Sequence, residues 1–353
     1  MSGIITSDGD NNLAPVGVAP NAGIFAYKMF SSDKPSLISN LLNSLDNILD
    51  EHRDEFDLIN MSLSDGVPYP SGTCREDQPT IRQNFVTLRA EGTLSFAASA
   101  NNGDKGGITW PACEPSVVAV GAVYDEDVGP MEYTPCDDET TAADQVACFS
   151  NSSADLELLA PGSLIISTAP AFPFFSEGGF TSQASPHAVG VAALLIQAVP
   201  GLSADEVANR LIRTGALVTD DLDPNNIRST PRVDARVALL TDDAADFDQD
   251  GCTNGREFGS NEVSGGLRNP LDFWDFFDVP TGDPPCGTGP SPSPTLAPLS
   301  LASARSVTLP ATRSPRRHRP ATIPRSTAAL ATLAQTRGIL SRQTVPLLSV
   351  TWG

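Results

Sequence analysis

Apolar positions along the first part of the chain follow two different periods. Leu37, Leu41, Leu42, Leu45, Ile48 and Leu49 recur at helical spacing, which predicts an amphipathic helix over 36–52. Residues 23–30 and 56–63 are short, apolar, β-compatible runs and read as strands, as do 93–100, 117–123 and the short 164–167. Phe85, Val86 and Leu88 mark a helix over 81–91. Residues 184–199 are apolar on nearly every side, which predicts a helix buried all round. Ser203-Ala204-Asp205-Glu206 is a capping box, and Gly215 closes the helix it starts. Alternation of strand and helix predicts an α/β domain with a mostly parallel sheet. Sites in such sheets form beyond the carboxyl ends of the strands. Asn101 and the run Ser62, Leu63 and Ser64 follow two of the predicted strands, so a cleft is expected there.

Composition narrows the class. The 353 residues suffice for one large domain and an appendage. Acidic residues outnumber basic ones 43 to 22, a net charge of −21, which argues against a nucleic-acid partner. No apolar run approaches the roughly 18 residues of a membrane span, and no secretory signal is visible at Met1. The six cysteines, in loop-like contexts and without Cys-x-x-Cys spacing, favour disulfides and an oxidising compartment. Neighbourhood along the chain suggests Cys74–Cys113, Cys136–Cys148 and Cys252–Cys286, one of the roughly 15 connectivities that six cysteines allow.

The chemistry centres on Gly178-Gly179-Phe180-Thr181-Ser182-Gln183-Ala184-Ser185-Pro186-His187. A small-residue turn brings Ser182 to the mouth of the apolar helix. Its hydroxyl is exposed there, and free backbone N–H groups face any negative charge that forms. This stretch resembles the nucleophile motif of the subtilisin-like serine proteases (subtilases), with Phe180 in place of a glycine and Gln183 in place of a methionine. Further blocks resemble the same family in the same order: 14–22, 25–30, 58–64, 97–103 (with Ala100 where a glycine is usual), 110–112, 117–122, 148–151 and 159–162.

The resemblance implies a three-layer subtilisin-like fold with a mostly parallel sheet, incomplete at the N-terminus. It implies Ser182 as nucleophile, and Asn101 as donor to the oxyanion together with the Ser182 N–H. Ser62, Leu63 and Ser64 would pair with an extended peptide. The triad Asp and His of the family precede the serine, and Met1-Ser2-Gly3-Ile4-Ile5 resembles the end of the histidine segment. The expectation is a chain that begins just after the catalytic His. The three histidines present offer no substitute: His187 belongs to the nucleophile helix, His52 to a charged helix end and His318 to the tail. A serine without a base remains a neutral hydroxyl, so the polypeptide as written is expected to be inactive.

A second signal is Asp246-x-Asp248-x-Asp250-Gly251-Cys252-x-Asn254, closed by Glu257. Alternate oxygen donors, a glycine for the sharp turn and a closing glutamate match an EF-hand-type Ca2+ loop, with Cys252 giving its backbone carbonyl. No amphipathic helix precedes it, so the segment resembles the lone calcium loops of thrombospondin type 3 or dockerin repeats. Residues 288–353 hold eight Arg and no Asp or Glu, with many Pro, Ser, Thr and Ala, and read as disordered. The expected organisation is a partial catalytic domain over 1–241, a calcium-loop segment over 242–287 and a basic tail over 288–353. The function expected is a secreted, monomeric serine endopeptidase acting on peptides or proteins through an acyl-enzyme. The alternative is a catalytically dead extracellular protein that binds peptides or calcium.

Overall fold

The computed structural model describes residues 1–9, 15–30, 37–168, 176–240, 253 and 346–351. In chain order the elements are α1 (Ser2–Thr6), β1 (Gly23–Lys28), α2 (Leu37–Glu51), β2 (Leu58–Met61), β3 (Pro68–Pro70), α3 (Pro79–Ala90), β4 (Leu94–Ala98), β5 (Gly107–Thr109), β6 (Val117–Val123), β7 (Met131–Glu132) and β8 (Asp137–Asp138). They continue with β9 (Leu158–Pro161), β10 (Ile165–Ser167), β11 (Ser176–Gly178), α4 (Thr181–Ala198), α5 (Ala204–Arg213), β12 (Ala216–Asp220), β13 (Arg228–Arg232), α6 (Ala235–Leu240) and β14 (Pro346–Thr351).

Eight strands form one sheet in the order β1-β14-β2-β4-β6-β9-β13-β12. Every neighbouring pair is parallel except the edge hairpin of β12 and β13. This is the mostly parallel α/β sheet that the alternating elements predict. The two faces follow from the side-chain period of two along each strand. Val118, Val120 and Ala122 of β6, with Leu158 and Ala160 of β9, join the core beneath α4 and α5. Val117, Ala119 and Val123, with Leu159, join the opposite core beneath α2 and α3. Burial on both faces explains why these strands read as unbroken apolar runs rather than alternating ones. Helix α4 packs so closely that a Cβ on Gly190 would lie 2.6 Å from Val18 Cβ.

Several elements differ from expectation. Helix α4 begins at Thr181, three residues before the predicted start. The capping box is formed as read: Ser203 accepts from the Glu206 N–H, and the Glu206 carboxylate accepts from the Ser203 N–H. Within 288–353, read from composition as disordered, Pro346–Thr351 forms β14 between β1 and β2. The rest of that segment lies outside the described residues. Cys74–Cys113 and Cys136–Cys148 are disulfide-bonded, whereas Cys252 and Cys286 lie outside the described residues.

Strand β4 ends in a turn that reverses at Ala100, whose φ is +89°. An L-side chain is strained there, and glycine is not. The conformation is held from both sides: the Ala100 N–H donates to Thr181 Oγ1 (3.2 Å), and the Ala100 carbonyl accepts from the Asn151 N–H (3.0 Å). Replacing Ala100 with glycine relieves the strain at some cost in unfolded-chain entropy, with an expected net gain of about 0.5–1 kcal/mol. Thermal denaturation of Ala100→Gly checks this; an unchanged or lower midpoint contradicts it.

Candidate active site

The site is built on the first turn of α4. Phe180 is the N-cap in extended conformation, and its carbonyl accepts from the N–H groups of Gln183 (2.8 Å) and Ala184 (3.4 Å). Ser182 is therefore the second helical residue, half-buried, rather than a residue preceding the helix. Pro186 lies four residues later and has no N–H, so the Ser182 carbonyl lacks its normal helical donor. Ser62 Oγ supplies the missing bond at 2.7 Å. Asn60 Nδ2 donates in turn to Ser62 Oγ (3.1 Å), and Asn60 Oδ1 accepts from Ser185 Oγ (2.8 Å). Asn60, Ser62 and Ser185 are fully buried, so this relay fixes the Ser182 turn to the end of β2.

Asn101 faces that turn from the end of β4. The Thr181 N–H and Thr181 Oγ1 reach one Asn101 amide atom at 2.9 and 2.8 Å. A backbone N–H can only donate, so this atom is the acceptor Oδ1, and the Nδ2 group points the other way. Asn151, fully buried, holds the turn: its Oδ1 accepts from the N–H groups of Asn102 (2.8 Å) and Asp104 (3.3 Å). With Thr181 bound to Asn101, and Gln183 and Ala184 bound to Phe180, the Ser182 N–H has no acceptor among the described residues. Asn101 Nδ2 likewise has none. Asn101, bonded to the neighbouring Thr181, and Ser182 thus each keep one donor without an acceptor among the described residues.

The 62–64 segment continues β2 past the sheet. Leu63 is buried, and the main-chain groups of Leu63 and Ser64 enter no backbone–backbone bond among the described residues. The chain that follows it is braced by the antiparallel pair of β3 and β5, by the Cys74–Cys113 disulfide, and by a bond from the Asp65 N–H to the Trp110 carbonyl at 3.0 Å. Beneath it the buried Glu114 accepts from Arg82 Nε (2.8 Å) and Trp110 Nε1 (3.1 Å).

Neither described histidine serves Ser182. His187 Nδ1 pairs with the Gln183 carbonyl at 2.9 Å, and burial lowers its pKa below the ordinary value. His52 makes tilted ring contacts with Phe25 and Phe56, which also touch each other, and pairs with Glu55. His318 lies outside the described residues. Lys105 reaches the Ser150 carbonyl (2.7 Å) and Asp220 (3.3 Å), tying β12 to the Asn101 turn, with its ammonium pKa lowered by burial against the pull of Asp220. Asp246, Asp248, Asp250, Cys252, Asn254 and Glu257 all lie outside the described residues. Among the described residues no group of three His, Cys, Asp or Glu is placed to hold a metal ion.

Ser182, Asn101 and the 62–64 segment, far apart in sequence, are thus brought together. Sequence reasoning missed the residues that hold them, namely Asn60, Asn151, Thr181 and Ser185. The only available signal was Pro186 inside an apolar helix, which marks a carbonyl in need of an outside donor.

The chain is similar in sequence to known proteins. The chain is 34% identical over 214 residues to subtilisin DY of Bacillus licheniformis, covering 60% of this chain and 67% of the relative. It is 31% identical over 208 residues to subtilisin E of Bacillus subtilis (strain 168), covering 58% of this chain and 47% of the relative. A crystal structure of a lanthipeptide protease aligns with a TM-score of 0.49 at 18% identity, over 67% of this chain and 73% of that one. The chain therefore spans about half to two thirds of the length of these subtilisins. The sequence profile of the subtilase family matches residues 1–249, and the chain belongs to that family of serine endopeptidases.

Proposed function

We propose that the cleft between Ser182, Asn101 and the 62–64 segment is a peptidase site for peptide or protein substrates. The observation that carries this reading is that Asn101 is bonded to Thr181, next to Ser182, while Asn101 Nδ2 and the Ser182 N–H have no acceptor among the described residues. An extended peptide would pair with the open main chain of Leu63 and Ser64 and present its carbonyl to Ser182. Attack by Ser182 Oγ would move charge onto the carbonyl oxygen, where the two donors and the helix N-terminus meet it. The peptide C–N bond would then break to give a serine acyl-enzyme, which water hydrolyses.

The Ser182 proton needs an acceptor before that attack can proceed. His187 and His52 are both engaged elsewhere, and no other described side chain hydrogen-bonds to Ser182 Oγ. The polypeptide as it stands is therefore proposed to bind peptide without turning it over. This same observation favours the second reading, a catalytically dead extracellular protein that binds peptides or calcium. A fluorophosphonate probe should leave Ser182 unlabelled in the full chain; stoichiometric labelling found by mass spectrometry would refute the claim of inactivity.

Binding is tested separately from turnover. An acetylated tetrapeptide with a free carboxylate should place that anion on the two donors. Asn101→Asp keeps the acceptor that Thr181 needs but replaces the donor with a negative oxygen. Calorimetry is expected to show at least about tenfold weaker binding in this variant. Equal affinities would remove Asn101 from the site.

The division into a partial catalytic domain over 1–241, a calcium-loop segment over 242–287 and a basic tail over 288–353 is part of the same proposal. Secretion is supported by the two disulfides, and a monomer is the working assembly. The loop over 246–257, resembling thrombospondin type 3 or dockerin repeats, would hold Ca2+ through Asp246, Asp248, Asp250, Asn254, Glu257 and the Cys252 carbonyl. That donor set is all oxygen, as a hard cation requires. Calorimetric titration of the chain with Ca2+ should give a binding isotherm that Glu257→Gln weakens; an identical isotherm in the variant would exclude the loop.

A further inference from the structure

Phe180 stands two residues before Ser182 and is 39% exposed, although it is a large apolar ring at the centre of a polar site. It rests edge-on against Phe149, with ring centroids 5.3 Å apart, and lies 6.4 Å from the ring of Tyr133. Tyr133 in turn packs edge-on against Phe149 at 4.7 Å. Phe149 is fully buried, so the three rings climb from the core to the surface.

The stack is held stiffly. Tyr133 Oη bonds to Ser163 Oγ at 2.5 Å. Gly179 passes so close that a Cβ there would lie 3.1 Å from Tyr133 Oη. Cys148, next to Phe149, is joined to Cys136 of the Tyr133 loop. The Phe149 carbonyl accepts from the Gly103 N–H at 2.9 Å, which ties the stack to the Asn101 turn.

The position of these rings fixes which part of a peptide they would meet. Ser62 approaches the nucleophile turn through the Ser182 carbonyl, from the end of β2. Phe180 leans instead on the loops before β8 and β9, which share no element with the 62–64 segment. A peptide whose acyl half pairs with that segment would leave Ser182 toward these loops, over the exposed Phe180 ring.

We infer that Phe180, backed by Phe149 and Tyr133, is a specificity-determining wall for the leaving half of the substrate, selecting peptides with an aromatic or large aliphatic residue directly after the scissile bond. The inference rests on the peptidase reading of the cleft. An apolar side chain laid on the ring loses water from both surfaces and gains an aromatic contact. A glycine offers no such surface, and an aspartate would bring a charge against it.

Calorimetry on the full chain tests this with octapeptides that differ only in the residue after the intended scissile bond, which is Phe, Gly or Asp. The tetrapeptide carboxylate, which covers the acyl half alone, serves as the internal reference. The Phe peptide is expected to bind about tenfold more tightly than the Gly or Asp peptides. In Phe180→Gly that preference should fall to within about twofold, with tetrapeptide affinity unchanged. Glycine suits the extended N-cap position, and Phe180→Leu should retain most of the preference. Tetrapeptide binding without any preference among the octapeptides overturns the wall while leaving the peptidase reading intact. Equal weakening of all four peptides by Phe180→Gly makes Phe180 a structural cap and also overturns the wall. Failure of every peptide to bind overturns both readings.

Discussion

Pro186 removes one hydrogen bond from the first turns of α4, and the cleft depends on how the Ser182 carbonyl recovers it. In an unbroken helix that carbonyl would be tied to an N–H four residues on, and the serine would be held only by its own helix. Here the carbonyl is bound by Ser62 Oγ, a side chain at the end of a sheet strand. The Ser182 turn is thereby positioned against the sheet rather than merely along the helix axis. Because Asn60 bridges Ser62 and Ser185, each hydroxyl is oriented by a partner whose own rotamer is fixed by burial. Buried polar chains of this kind confer specificity of geometry when every member is satisfied.

The same logic places Asn101. Its amide oxygen is consumed by Thr181, so its NH2 group has one direction left to face. The strained backbone at Ala100 and the buried Asn151 hold the turn from behind. Strained residues persist where surrounding structure over-determines them, and such places are often functional. The two-faced sheet supplies that over-determination: cores on both sides of β2, β4 and β6 leave the strand ends little freedom.

The readability of the chain followed burial. Strands covered on both faces stand out as apolar runs, and 117–123 was delimited to the residue. The start of α4 was hidden because Phe180 is a poor capping residue and the residues Thr181, Ser182 and Gln183 carry no apolar period. The edge hairpin of β12 and β13 was missed because Arg228–Arg232 is charged, proline-containing and only partly buried. Strand β9 is four residues long and ends on Pro161. Within the site, the proximity of Ser182, Asn101 and the 62–64 segment was legible because their blocks resemble a known family in order. The residues that orient them were not, since a buried Asn60 or Asn151 has no signature in a single sequence.

The two disulfides lie outside the main sheet, and each braces one bank of the cleft. Cys74–Cys113 backs the bank of the 62–64 segment, and Cys136–Cys148 backs the aromatic one. A cross-link of this kind owes most of its effect to closing a loop, commonly about 2–4 kcal/mol, and here the loops closed are those that shape the groove. A thiol-rich environment would therefore slacken the two banks first and leave the scaffold beneath them standing. The protein's redox surroundings would then set the tension of the two loops beside Ser182, separate from whether it is folded at all.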